Sequence, residues 1–145
     1  MEIERKFLVD KIPSLDGLKL DEITQAYLSI KPEIRVRKKG DKYYHTEKGE
    51  GALVREEIEY EITREEYLAS YEKCEGRVIE KTRYYIPTGS LVMELDIYKG
   101  KHQGLVVCEI EFSSEEEASR FEIPSWLGKE ITYDISFRNK ILACT

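Results

Sequence analysis

Apolar and charged residues alternate along many short stretches of this chain, and a period of two is typical of β-strands. The pattern is clear in residues 34–37, which read IRVR, and in residues 108–112, which read CEIEF. Glycine-containing turns separate these stretches, for example at Gly40 and Gly89. Each predicted strand therefore has one charged and one apolar face, and the chain is predicted to be mainly antiparallel β.

Two stretches depart from this period and are predicted to be helices, each beginning with a capping box. The first runs from Thr63 to about residue 74, with Glu66 completing the box. The second runs from Ser114 to about residue 122, with Glu117 in the same position. Residues 14–23 and 134–144 are expected to hold shorter helices.

The signs of the charges are sorted by strand, which is unusual for a face that is simply solvated. Four strands carry acids at successive alternate positions, and two carry bases. The acidic sets are Glu2/Glu4, Glu57/Glu59/Glu61, Glu94/Asp96 and Glu109/Glu111, and the basic pairs are Arg35/Arg37 and Lys81/Arg83. Like charges on neighbouring positions repel, so such clustering favours a bound group of opposite charge. With at least six such strands, the sheet can close into a barrel that encloses the charged faces.

The composition limits the partners of such a barrel. The 145 residues suit a single domain, residues 1–145, and the net charge of −6 argues against nucleic-acid binding. Cys74, Cys108 and Cys144 form no metal-binding or disulfide pattern, so buried free thiols are expected. Without a long apolar run, we expect no membrane partner and a cytoplasmic location. Whether the chain forms a homodimer is left open.

The two kinds of charged strand suit one class of ligand. Carboxylates at alternate positions offer the hard oxygen ligands that Mg²⁺ or Mn²⁺ prefers. Arginine forks and lysine ammonium groups match the oxygens of a polyphosphate. The charge pattern therefore indicates a polar tunnel that binds a metal and a small phosphorylated molecule.

The N-terminal residues 2–6, EIERK, resemble the ExExK signature of the CYTH, or triphosphate tunnel metalloenzyme, family. Further matching segments follow in the order of that family's strands: RVR at 35–37, TEK at 46–48, EIE at 57–59, EKTR at 80–83, ELD at 94–96 and EIE at 109–111. The resemblance covers essentially the whole chain. It implies a closed, eight-stranded antiparallel β-barrel with a charged lumen and a few flanking helices, as in the compact bacterial inorganic tripolyphosphatases of the family.

The resemblance also implies a role for each matching residue. The expected metal ligands are Glu2, Glu4 and Glu111, with Glu109 and Asp96 placed in the same group. The expected substrate-binding residues are Lys6, Tyr27, Arg35, Arg37, Lys48, Lys81 and Arg83. Catalytic roles are expected for Lys6 and for Glu57 or Glu59, one of which would activate water unless a second metal does so. Tyr27 suits a core position equally well.

The function implied is metal-dependent hydrolysis of inorganic tripolyphosphate, with Mg²⁺ or Mn²⁺ as cofactor and activity extending to nucleoside triphosphates. Adenylate cyclase and thiamine triphosphatase activities of the same family remain alternatives, because all of them share the triphosphate grip. A non-enzymatic polyphosphate-binding protein is an alternative of another class. Such a protein would keep the basic strands but would not need a set of metal-binding carboxylates.

Overall fold

A computed structural model describes residues 1–145 as a barrel of antiparallel strands flanked by short helices. The strands are β1 (Glu2–Val9), β2 (Leu20–Ser29), β3 (Glu33–Lys39), β4 (Lys42–Lys48), β5 (Val54–Arg55), β6 (Glu57–Ile62), β7 (Val78–Thr88), β8 (Leu91–Tyr98), β9 (Val106–Glu111) and β10 (Leu127–Glu130). The helices are α1 (Arg64–Glu72), α2 (Glu115–Arg120) and α3 (Asn139–Leu142), with 3₁₀ turns at Gly100–His102 and Ile135–Phe137.

The strands follow the order β10-β1-β9-β8-β7-β2-β3-β4-β6, and β5 pairs with the beginning of β1. Only Glu56 separates β5 from β6, and its carbonyl accepts a hydrogen bond from Gly49 N at 2.9 Å. The ring therefore closes where β5 meets β1, and β10 pairs with the other end of the same β1 edge. The expected barrel is confirmed, but there are ten strands rather than eight because one wall is interrupted at Glu56 and β10 is an addition.

The helix predictions have mixed outcomes. Helix α1 has both hydrogen bonds of its capping box, from Glu66 N to Thr63 Oγ1 and from Thr63 N to Glu66 Oε1. Helix α2 begins as expected, but the Glu117 carboxylate accepts from Ser113 N instead of Ser114 N. The helix expected within residues 14–23 is wrong: Gly17 has φ +74° in a turn, and β2 begins at residue 20. The C-terminal helical residues are confirmed.

Apolar residues pack in three clusters, and two of them lie on the outer face of the barrel. In the first, Phe7, Met93 and Ile110 are covered by α2 and β10, and in the second Val36 is covered by Tyr67 of α1. Cys74 and Cys108 are buried in these clusters as expected, whereas Cys144 is exposed because it lies at the C-terminal end. No helix is both long and apolar enough to cross a membrane.

The third cluster fills one end of the bore. Tyr27, Ile79 and Val107 have the same inward-facing parity as the charged residues further along β2, β7 and β9. They pack against Ile131 and Ala143 of the C-terminal segment. The charged bore is thus closed at this end by an apolar plug, which we call the C-terminal plug.

Candidate active site

The inward-facing charged side chains enclose a cavity of about 390 Å³. It is lined by all but one of the residues predicted for the site: Glu2, Glu4, Lys6, Tyr27, Arg35, Arg37, Lys48, Glu57, Glu59, Lys81, Arg83, Glu109 and Glu111. The period of two and the closure of the ring are sufficient to bring these residues together from seven strands, because alternate residues on each strand point into the bore.

The exception is Asp96, which lies behind the cavity wall. It is fully buried, and its carboxylate accepts hydrogen bonds from Arg83 Nε at 2.8 Å and Arg83 Nη2 at 3.0 Å. Its second oxygen is 2.8 Å from Lys81 Nζ. Burial alone would raise the pKa of Asp96, but the charges of Arg83 and Lys81 hold it below its usual value. Asp96 is therefore placed to orient two cations rather than to face a metal.

Two arginines of β3 point into the bore with donors to spare. Arg35 and Arg37 are buried, and the Nε atom of each has no hydrogen-bond partner. Burial, together with the positive charges of Arg35 and Arg83, lowers the pKa of Arg37 to about 10. Buried donors without partners are costly, so this part of the cavity favours an anion with several oxygens.

A group of carboxylates lies on the opposite wall. Glu4 of β1 is directly across from Glu111 of β9 in the sheet, and Glu2 precedes Glu4 on the same face. Burial and the charges of Glu109 and Glu2 raise the pKa of Glu4 well above its usual value. Burial and the charges of Glu2 and Glu94 likewise raise the pKa of Glu111. Glu2 is paired with Lys48 Nζ at 3.0 Å, but Glu4 and Glu111 have too little positive charge around them.

Glu109 differs from these carboxylates in its surroundings. It lies across from Lys6 in the sheet, and the Lys6 Nζ atom is 3.8 Å from its carboxylate. Burial alone would raise the pKa of Glu109, but the charges of Lys6, Arg83 and Lys81 hold it well below the usual value. Glu109 is therefore ionised and already surrounded by cations of the protein.

The two carboxylates considered for water activation are held differently. Glu59 accepts hydrogen bonds from Thr46 Oγ1 at 2.8 Å and from Arg37 at 3.3 Å. Burial alone would raise the pKa of Glu59, but the Arg37 charge and the Thr46 hydrogen bond lower it. Burial, with Glu2 nearby, raises the pKa of Glu57 despite the opposing charge of Lys48. Glu57 is thus the more basic of the two.

Lys6 and Tyr27 connect the cavity to the plug. Lys6 Nζ donates to the carbonyl of Phe137 at 2.8 Å, which fixes the C-terminal segment across this end. The Tyr27 hydroxyl accepts from Gln25 Nε2 at 2.9 Å, so its own proton remains available to another acceptor. Tyr27 was expected either to bind substrate or to lie in the core. Its ring packs in the C-terminal plug, and the residue also lines the cavity, so the structure is compatible with both.

Several lining residues were not predicted. They are Glu33, Lys39, Arg55, Glu94, Asp134 and Arg138 among the charged side chains. Strand parity was sufficient to find Glu33 and Lys39, because they share a face with Arg35 and Arg37. The ion pair of 2.6 Å between Glu33 and Arg55 depends on barrel closure and has no local sequence signal.

The chemistry of the carboxylate group fits a divalent cation. Glu2, Glu4 and Glu111 offer only oxygen atoms, and the raised pKa values of Glu4 and Glu111 indicate mutual repulsion that a cation would relieve. No three His, Cys, Asp or Glu side chains lie close enough together to hold a metal ion by themselves, so further ligands would have to come from the substrate or from water. This arrangement suits Mg²⁺ or Mn²⁺, which commonly retain water and take phosphate oxygens as further ligands.

The fold and the cavity define a class: antiparallel barrels that enclose a tunnel lined by both cations and carboxylates. The chain belongs to the CYTH domain family, whose model matches residues 1–135. This confirms the resemblance derived from the N-terminal signature and the charged strands.

Comparisons with known proteins support the same assignment. The chain is 42% identical over 148 residues to an inorganic triphosphatase of Nitrosomonas europaea, covering 98% of this chain and 96% of the relative. It is 37% identical over 145 residues to an inorganic triphosphatase of Acetivibrio thermocellus, covering 97% and 92%. A crystal structure of an inorganic triphosphatase matches with a TM-score of 0.76 and 35% identity, covering 100% of this chain and 95% of that chain.

Proposed function

We propose that this protein hydrolyses inorganic tripolyphosphate and requires Mg²⁺ or Mn²⁺ to do so. The observation that carries the proposal is the pair of buried arginines, Arg35 and Arg37, whose Nε donors have no partner in a cavity that also holds mutually repelling carboxylates. The names of the relatives described above agree with this substrate.

The basic residues would bind the phosphate chain. Arg35 and Arg37 are aligned on one face of β3, and Lys81 and Arg83 are aligned on one face of β7. Asp96 holds the latter pair in place and leaves their remaining donors for the ligand. Rows of cations of this kind match a chain of linked phosphoryl groups and stabilise the charge that grows as one of them leaves.

Glu2, Glu4 and Glu111 would hold the divalent cation, and Glu109 would contribute less because Lys6 and other cations already offset its charge. When bound, the cation would withdraw charge from the phosphate oxygens and orient them. Lys6 lies at the closed end of the bore, where its ammonium group can bind a phosphate oxygen while Phe137 keeps it oriented.

We assign activation of the attacking water to Glu57. Its carboxylate has no hydrogen bond from a basic side chain, and its pKa is raised by burial and by Glu2. Glu59 is a poorer proton acceptor because Thr46 and Arg37 already donate to it. In this assignment Glu57 takes the proton of water as the water oxygen bonds to the terminal phosphorus. The bridging P–O bond breaks at the same time, and the departing diphosphate keeps its electron pair as negative charge on oxygen.

The direct test is phosphate release from tripolyphosphate, ATP and thiamine triphosphate, measured side by side with and without Mg²⁺ or Mn²⁺. We expect the highest kcat/KM for tripolyphosphate, since only six of the 27 residues that line the cavity are hydrophobic and a base would find little apolar wall. Diphosphate should be a poor substrate because it leaves part of the cationic set unpaired.

Each alternative predicts a different result in the same assay. Higher efficiency with thiamine triphosphate or ATP would indicate those substrates, and release of diphosphate from ATP with formation of a cyclic nucleotide would indicate a cyclase. Tight binding of tripolyphosphate without any metal-dependent phosphate release would indicate a non-enzymatic binding protein. Any one of these results would refute the proposal.

A further inference from the structure

Three cations of the cavity, Lys39, Arg55 and Arg138, were not among the residues predicted from the sequence. Lys39 is the only one of the three whose charged group makes no hydrogen bond or ion pair. Lys39 is the last residue of β3 and shares the inward face with Arg35 and Arg37. It is half-buried and lines the cavity, whereas its neighbour Lys38 is exposed on the outer face. The strand thus provides a matched pair of lysines, one inside the tunnel and one outside.

Lys39 has no carboxylate partner. Each of the six predicted cations has a carboxylate within 4.0 Å: Lys6 has Glu109, Arg35 has Glu33, Arg37 has Glu59, Lys48 has Glu2, and Lys81 and Arg83 share Asp96. The ammonium group of Lys39 instead lies 5.7 Å from the centre of the Tyr85 ring, and Lys19 lies 5.3 Å from that ring.

Positive charge is therefore in excess around Lys39. Burial, and after it the charges of Arg37 and Arg83, lowers the pKa of Lys39, and the carboxylates of Asp21 and Glu94 offset this only in part. The Tyr85 hydroxyl donates to Asp21 at 2.7 Å and makes no hydrogen bond with Lys39. An anion between Lys39, Arg37 and Arg83 would relieve this repulsion.

Lys39 lies at the end of the tunnel opposite the C-terminal plug. Tyr27 of the plug pairs with Arg35 across β2 and β3, and Lys39 is four residues further along β3, roughly 13 Å away. A ligand that fills the bore from the closed end outward would therefore place its outer phosphoryl group near Lys39.

We propose that Lys39 is a specificity-determining residue that binds the outer terminal phosphoryl group and favours a free terminal phosphate over one esterified to a nucleoside. The inference deepens the proposed function and rests on it. A free terminal phosphoryl group has an additional ionisable oxygen, whereas the corresponding α-phosphoryl group of ATP has that oxygen esterified. An unpaired ammonium group at this position therefore gains more from tripolyphosphate than from ATP.

The test compares Lys39→Met with wild type, using kcat/KM for tripolyphosphate and for ATP under the same metal. We expect about a tenfold loss with tripolyphosphate, mainly through KM, because a charge-assisted contact from a half-buried side chain is lost. The loss with ATP should be at most about twofold, and Lys39→Arg should restore most of the preference. Lys38→Met and Lys19→Met are controls for general surface charge and should retain the wild-type ratio.

Two outcomes would overturn the inference. One is an unchanged ratio of the two kcat/KM values in Lys39→Met, whether both substrates lose efficiency equally or neither does, with Lys39→Gln measured in parallel to exclude an effect of the methionine. The other is an equal loss of preference in Lys38→Met. A wild-type protein that releases no phosphate from tripolyphosphate would instead refute the proposed function, and the inference with it.

Discussion

Asp96→Asn should lower the free energy of unfolding by about 3–5 kcal/mol, the usual cost of breaking a buried ion pair by removing one partner. Asp96 is 0% exposed and offsets two cations, Arg83 through two hydrogen bonds and Lys81 through one contact of 2.8 Å. Asparagine has nearly the same shape but no charge, so the substitution leaves two buried cations uncompensated without creating a cavity.

Chemical denaturation at pH 7 measures this change directly, and thermal unfolding should show a decrease of roughly 10–15 °C. Glu80→Gln on the same sheet is the control, because Glu80 is exposed and makes no buried ion pair. A further variant tests the cause: adding Lys81→Met to Asp96→Asn should recover about half of the loss, since one buried cation is then removed. A loss below about 1 kcal/mol in Asp96→Asn, or no recovery in the double variant, would refute the argument that Asp96 acts by holding these cations.

Three further outcomes are expected. Glu4→Gln should abolish metal-dependent hydrolysis yet raise the free energy of unfolding by on the order of 1 kcal/mol, because folding buries a carboxylate whose pKa is raised and whose ionised form is disfavoured. Glu111→Gln should also abolish hydrolysis. Full activity in either variant would exclude that residue from the metal set. Arg37→Ala should reduce kcat/KM for tripolyphosphate roughly ten- to a hundredfold, because a buried donor without a protein partner is removed, with little change in the denaturation midpoint. Unchanged turnover would mean that Arg37 does not contact the substrate. Burial lowers the pKa of Lys81 to about 8, so calorimetry without metal should show that the affinity for tripolyphosphate falls as the pH rises through 8 and Lys81 loses its proton. Lys81→Met should bind tripolyphosphate more weakly at pH 7 and should not show this fall in affinity. The same fall in both proteins would mean that the ligand, not Lys81, is titrating.

Much of this site was predictable because alternate residues of a strand point to the same side, so the local sequence shows which side chains share a face. The alternation of Arg35 and Arg37 with apolar neighbours fixes which residues share a face, and sorting by sign suggests that the charged faces meet in a bore. Parity alone, however, does not distinguish a residue that lines the cavity from one that lies behind the wall. Asp96 and Glu94 share an inward face, but only Glu94 lines the cavity, since Arg83 and Lys81 cover Asp96.

The features that sequence reasoning missed depend on contacts between distant parts of the chain. Arg55 reaches Glu33 only because β5 closes the ring onto β1, and nothing in its neighbouring residues indicates this contact. The C-terminal plug likewise combines residues from several strands with Ile131 and Ala143. The helix expected within residues 14–23 does not form, because Gly17 has a left-handed conformation that ends any helical run there.

Four inward-facing carboxylates of the barrel divide into two kinds, and the division explains how a barrel can have a charged interior and remain folded. Asp96 and Glu109 have pKa values held below normal by cations of the protein, so their charges are compensated whether or not a ligand is bound. Glu4 and Glu111 have raised pKa values, so their charges oppose folding and depend on a bound cation for compensation. Because the apolar clusters lie outside the bore and at its plugged end, the fold can retain this unfavourable second group, and both of its members are residues that we assign to metal binding.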